Sequence, residues 1–169
     1  NYAYQQLAEQ ASGEIVLFAG VDVRFSEASI DKLVTYFVAE ELDMLCVMPQ
    51  RRHFDVISNI LQPLRYFWQI AFTRPKPTVS SCWLVRRDLL REIGGFKQVK
   101  SSIFPEQALV NSHQQDIKYA FLVADYGLGV TTRKRATSQL DTAVRTLYPR
   151  LGGEVIGLVL GFSVVSLLM

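Results

Sequence analysis

The chain has 169 residues, 49% of them hydrophobic and 20% charged, with a formal net charge of +2. A hydrophobic fraction of that size excludes a disordered segment and suits about one folded domain. So small a net charge lacks the basic footprint of a nucleic-acid-binding protein, and no nucleic-acid partner is expected.

Ala3 to Ala11 reads as a polar helix, with Leu7 and Ala11 at i,i+4 spacing. Ile15 to Ala19 is a short, fully apolar strand of the kind buried in a parallel sheet, and Asp22 stands just past its carboxyl end. Open α/β sheets bind ligands at that end of their strands. Ser26 suits the N-cap and Glu27 the first turn of a helix running through Ile30, Leu33, Val34 and Phe37 to about Glu41. Met44 to Met48 forms the next strand, which makes a βαβ unit, right-handed by rule. His53 to Thr73 carries a broad apolar helical face, either packed core or an interfacial helix touching lipid headgroups.

Arg74-Pro75-Lys76-Pro77 is a punctuating loop, Val79 to Val85 a strand, and Arg87 to Ile93 a short helix stopped by Gly94-Gly95. Pro105 and Glu106 open a further helix through Leu109. Ile117 to Ala124 and Leu128 to Thr132, separated by Asp125-Tyr126-Gly127, read as a β-hairpin. Cys46 and Cys82 each lie in an apolar run and are expected to be buried reduced thiols, which fits a reducing compartment. The apolar run Val155 to Met169 is 15 residues, short of the ~20 that span a bilayer, but it carries no terminating signal. It reads as the start of a transmembrane helix, the alternative being a buried C-terminal helix. Arg133, Lys134, Arg135, Arg145 and Arg150 precede it, the expected cytoplasmic flank under the positive-inside rule.

Four stretches, in order, resemble membrane-associated family 2 glycosyltransferases of the GT-A fold, of the ceramide glucosyltransferase or hopanoid-type kind. They are Asn1 to Phe25, like the region where a helix leads into the acidic metal-site strand; Ser80-Ser81-Cys82-Trp83-Leu84-Val85-Arg86-Arg87-Asp88, like the segment entering the acceptor side; Glu92-Ile93-Gly94-Gly95-Phe96, like the family's Gly-Gly-Phe turn; and Arg145 to Arg150 before the apolar run. The resemblance implies an α/β fold with a partial, Rossmann-like GT-A sheet and flanking helices over 1–151. The start of a transmembrane helix follows over 152–169. The chain then reads as an internal stretch that lacks the upstream nucleotide-binding part.

The resemblance also implies inverting transfer of a sugar from a nucleotide-sugar donor to a lipid or saccharide acceptor at the membrane, with the catalytic domain cytoplasmic. Transfer from a nucleotide sugar requires charge neutralisation on the departing diphosphate, by Mg²⁺ or Mn²⁺. Asp22 is the expected metal carboxylate; the family's first acid of the pair is replaced by Gly20. An attacking hydroxyl needs a proton acceptor, and Glu106 aligns with that position when Leu109 anchors the register, whereas anchoring on the first acid places Gln107 there. Arg86, Gly94, Gly95 and Phe96 are the expected substrate-binding residues. The family's Gln-x-x-Arg-Trp motif is missing as such. A glycosyltransferase-like binding or regulatory module without activity is the alternative function.

Overall fold

The computed structural model describes residues 2–51, 76–97, 99, 101–102, 104–113 and 117–133. They fall in one unit drawn from residues 1–52 and 74–133. The helical pattern of 53–73, the basic cluster beyond Arg133 and the apolar run 152–169 lie outside the described residues. Among the described residues, no helix is long and apolar enough to cross a membrane.

The elements are α1 (Tyr2–Gln10), β1 (Ile15–Ala19), β2 (Val23–Phe25), α2 (Ser29–Ala39), β3 (Met44–Met48), β4 (Gln50–Arg51), β5 (Cys82–Arg86), α3 (Arg87–Glu92), a 3₁₀ turn (Gly95–Lys97), α4 (Pro105–Ser112), β6 (Tyr119–Val123) and β7 (Val130–Thr132). Four strands form the main sheet in the order β1-β5-β3-β6. β5 runs antiparallel to both β1 and β3, and β6 runs parallel to β3. Strands β1, β3 and β6 therefore share one direction, with β5 inserted against them. The architecture is mixed α/β with a partly parallel sheet and flanking helices.

Continuous apolar strands require cover on both faces, and the side-chain alternation supplies it. Val16 and Phe18 of β1, Met44 and Cys46 of β3, and Trp83 and Val85 of β5 join one core, with Leu90, Phe96 and Leu109 from the helical side. Leu45, Val47, Cys82 and Leu84 join the other, with Leu33 and Phe37 of α2. Tyr4, Phe18, Trp83 and Phe96 form an aromatic cluster, with Phe18 stacked on Trp83 at 4.2 Å between ring centroids. The two cysteines are free and buried and belong to opposite cores.

Three sequence expectations are corrected. The strands β6 and β7 are no hairpin: β6 pairs with β3, whereas β7 joins β2 and β4 in a second, three-stranded sheet. The turn between them sends the chain across instead of back. Asp125 Oδ1 accepts the Leu128 N–H at 2.7 Å, and Gly129 adopts φ 69° beside Ser26, whose N–H donates to the Gly129 carbonyl at 3.0 Å. Ser26 does not cap α2. The helix begins three residues later behind Ala28 at φ 64°, because Ser26 is bound to Gly129 and shares a 2.8 Å hydrogen bond with Ser29. The strand placed at Val79 begins instead at Cys82, since Ser80 and Ser81 form a turn. The βαβ pair β1 and β3 is parallel as expected, but β5 separates the two strands.

Candidate functional site

The chain leaves β1 through a tight turn. The Gly20 N–H donates to the Ser81 carbonyl at 2.8 Å, and the Val23 N–H returns to the Gly20 carbonyl at 2.9 Å. This turn leaves Asp22 half-buried at the carboxyl edge of β1. Its Oδ2 accepts the Thr132 hydroxyl at 3.2 Å, and its carbonyl accepts the Arg133 N–H at 3.1 Å. Asp22 thus ties the end of β1 to β7. A Cβ at position 20 would lie 2.9 Å from Asp22 Oδ1 and 3.4 Å from the Ser81 carbonyl. The close contact is with the tip of the Asp22 side chain, so a side chain at position 20 needs only a shift of that carboxylate.

Glu106 stands in the first turn of α4, where the helix dipole favours a negative charge. It is wholly buried, at 0% exposure. The Ser80 hydroxyl donates to its Oε1 at 2.5 Å. The carboxylate's influence spreads through the helical-side core. Burial first, and the Glu106 charge second, raise the Tyr4 phenol above its ordinary value. The Tyr119 phenol is raised too, chiefly by burial and with Cys46 and Glu106 adding to it. Burial pushes the Cys46 thiol up to about 12, with the neighbouring Tyr119 hydroxyl and Val79 backbone opposing the shift.

One short segment, Pro77 to Ser81, gathers these groups. The Tyr119 hydroxyl donates to the Pro77 carbonyl, Cys46 meets the Val79 backbone, Ser80 holds Glu106, and Ser81 holds Gly20. The antiparallel register Ala19↔Cys82 places this segment at the carboxyl edge of β1. Ser80 thus holds Glu106, while the adjacent Ser81 carbonyl holds Gly20, two residues before Asp22.

The remaining expected residues go elsewhere. Arg86 pairs with Ile15 at the opposite edge of the sheet. Its Nε donates to the Leu42 carbonyl at 2.8 Å and lies 3.4 Å from Asp43 Oδ1, with the guanidinium over the Phe37 ring. That is a tie between β5 and the turn after α2, away from Asp22. Phe96 is 1% exposed and anchors the aromatic cluster. Gly94 and Gly95 adopt φ 74° and 65°, and the turn they make lets Gln5 Oε1 accept the Phe96 N–H at 2.7 Å. The Gly-Gly-Phe turn thus docks α1 on the sheet, while both glycines line a surface cleft between α1 and α3.

Ser80 and Thr132, the hydrogen-bond partners of the two carboxylates, escape sequence reasoning. They lie 26 and 110 residues from their acids, and neither sits at a motif spacing. The only trace is the pair of small polar residues Ser80-Ser81 interrupting an apolar stretch.

Among the described residues, no three His, Cys, Asp or Glu side chains converge as a metal-holding group. Among the described residues, the carboxylate just past the end of β1 is that of Asp22, which would be the protein's contribution to a Mg²⁺ or Mn²⁺ ion there. That fits a cation carried largely by phosphate oxygens and water, the usual manner of Mg²⁺ at nucleotide phosphates. No protein-family model matches the chain, and no curated protein matches it.

Proposed function

We propose that this chain is part of a family 2-like, inverting glycosyltransferase that moves a sugar from a nucleotide-sugar donor to a lipid or saccharide acceptor at the membrane. The observation that carries the reading is Asp22 at the carboxyl edge of β1 in a partly parallel sheet, in the turn whose Gly20 bonds Ser81, with Glu106 held by the adjacent Ser80. Ligands of open α/β sheets bind at that edge. Asp22 is the residue that would hold Mg²⁺ or Mn²⁺, which when bound neutralises charge on the departing diphosphate. Glu106 is the proton acceptor for the attacking hydroxyl, and Ser80 orients it by donating to Oε1. A carboxylate at 0% exposure meets a substrate only after its cover shifts, so acceptor entry must displace part of that cover. The membrane run at 152–169 and the cytoplasmic side of the catalytic domain belong to the same proposal.

A second reading is a glycosyltransferase-like binding or regulatory module without activity. Two observations favour it: the complete burial of Glu106, and Gly20 standing where the resemblance expects the first acid of the pair. The test is donor binding and turnover by the full-length protein over a panel of nucleotide sugars, with Mn²⁺ or with chelator. Metal-dependent nucleotide release that Asp22→Asn abolishes, with the fold intact by circular dichroism, supports the enzyme. Metal-dependent donor binding without release supports the module. Near-normal turnover of Asp22→Asn removes the proposed role of that residue.

A further inference from the structure

A cleft of about 360 Å³ opens between α1 and α3, within the size range of small-molecule sites. Its charged lining comprises Arg87 and Arg91 of α3, Lys97 of the 3₁₀ turn and Glu9 of α1, three cations against one carboxylate. Glu9 Oε1 accepts Gln5 Nε2 at 2.7 Å and keeps its charge, so the lining is net positive. Among the described residues, Arg91 pairs with Asp88 alone, at 3.9 Å with both side chains largely exposed, a pairing that contributes little. Among the described residues, neither Arg87 nor Lys97 has a carboxylate within ion-pair distance. Arg87 spends one Nη on the Ala11 and Ser12 carbonyls, at 3.3 and 2.6 Å, which clamps its guanidinium to the end of α1. Its Nε is buried with no hydrogen-bond partner among the described residues. The wall is therefore a fixed guanidinium with no carboxylate partner among the described residues, beside two exposed cations, with Leu90 and the Gly94-Gly95 turn as its uncharged remainder.

We propose that this cleft binds a phosphate ester, with the phosphate held by Arg87, Arg91 and Lys97 and the organic part against Leu90 and the Gly94-Gly95 turn. Planar guanidinium forks match phosphate oxygens in pairs, and the ammonium adds a point charge. The site does not rest on the glycosyl-transfer reading. Arg87 enters at the sheet edge opposite Asp22, where its N–H donates to the Glu14 carbonyl at 2.8 Å.

The phosphate can be borne by a soluble ester or by a lipid headgroup, and two probes separate these. The full 169-residue chain is titrated with glycerol 3-phosphate, and separately with phosphatidylcholine vesicles with and without phosphatidic acid. Arg91→Gln/Lys97→Gln removes two surface charges and spares the structural Arg87. Lys32→Gln/Lys118→Gln removes the same charge from elsewhere on the surface. Saturable binding of glycerol 3-phosphate, weakened ~10-fold or more by the cleft pair and less than about twofold by the control pair, establishes the site for soluble esters. The same pattern seen only with phosphatidic acid vesicles establishes it for a headgroup. No saturable binding of either probe, or equal weakening by the two pairs, overturns the proposal.

Discussion

Gly95→Ala tests whether the Gly-Gly-Phe turn is a docking device for α1. The backbone there has φ 65°, and an added Cβ would lie 2.5 Å from Gln5 Oε1, the atom that accepts the Phe96 N–H at 2.7 Å. The left-handed conformation costs a non-glycine residue about 1–2 kcal/mol. Displacing Gln5 forfeits a hydrogen bond worth about 0.5–1.5 kcal/mol. The expected destabilisation is thus ~1.5–3.5 kcal/mol, read by equilibrium urea unfolding with a circular dichroism signal. Gln5→Ala removes the same hydrogen bond and also clears the space that the new methyl would occupy. The double variant should therefore be more stable than the sum of the single effects predicts, by roughly 1 kcal/mol. Additive effects, or a Gly95→Ala protein within about 0.5 kcal/mol of the parent, a surface-like effect, would refute the reasoning.

Glu106→Gln keeps the shape and an acceptor for the Ser80 hydroxyl but removes the proposed proton acceptor, so on the glycosyltransferase proposal turnover by the full-length protein should fall ~100-fold or more while donor binding persists. If Asp116 or another acid carries that loss instead, the register after Phe96 is wrong. Cys46 and Cys82, both pushed up to about 12 by burial, should resist iodoacetamide in the native protein at pH 8 and react only on unfolding. Because the folded protein holds these protons to higher pH than the unfolded chain, their stabilisation is complete below about 9 and is lost as pH rises towards about 12, which alkaline denaturation curves of Cys→Ala variants will show. Protease protection in sealed vesicles should leave the region around Arg133 open to cleavage from the cytoplasmic side; shielding on the other side would overturn the proposed orientation.

Local signals locate most of the elements. The five-residue apolar run of β1 and that of β3 appear at the limits the sequence suggests, since an uninterrupted apolar segment bounded by glycine, aspartate or proline has few other stable fates. Pro105 opens α4 as expected, because its missing N–H is lost at a helix start without cost. Ser26 fails as a cap for the opposite reason. Its polar groups are claimed by Gly129 and Ser29, a competition that no window of neighbouring residues contains.

The candidate site divides in the same way. An acid after an apolar strand is legible in one line of sequence, so Asp22 stands out from its immediate neighbours alone. Its partner Thr132, and the attachment of Glu106 to Ser80, depend on which strands become neighbours. Phe96 and Arg86 show the converse: each matches a functional pattern, yet tertiary packing makes the first a core anchor and ties the second to Leu42 and Asp43.

The sequence by itself determined where chain segments are apolar enough to become strands and where a carboxylate follows one of them, because hydrophobic periodicity and turn chemistry act over a few residues. Only the tertiary structure decided that β5 inserts between β1 and β3, that β6 and β7 part into different sheets, that Asp22 bonds Thr132 and that Glu106 bonds Ser80. Those outcomes follow from backbone hydrogen bonds and face-to-face burial between residues far apart in the chain, whose pairing is chosen by the whole sheet at once.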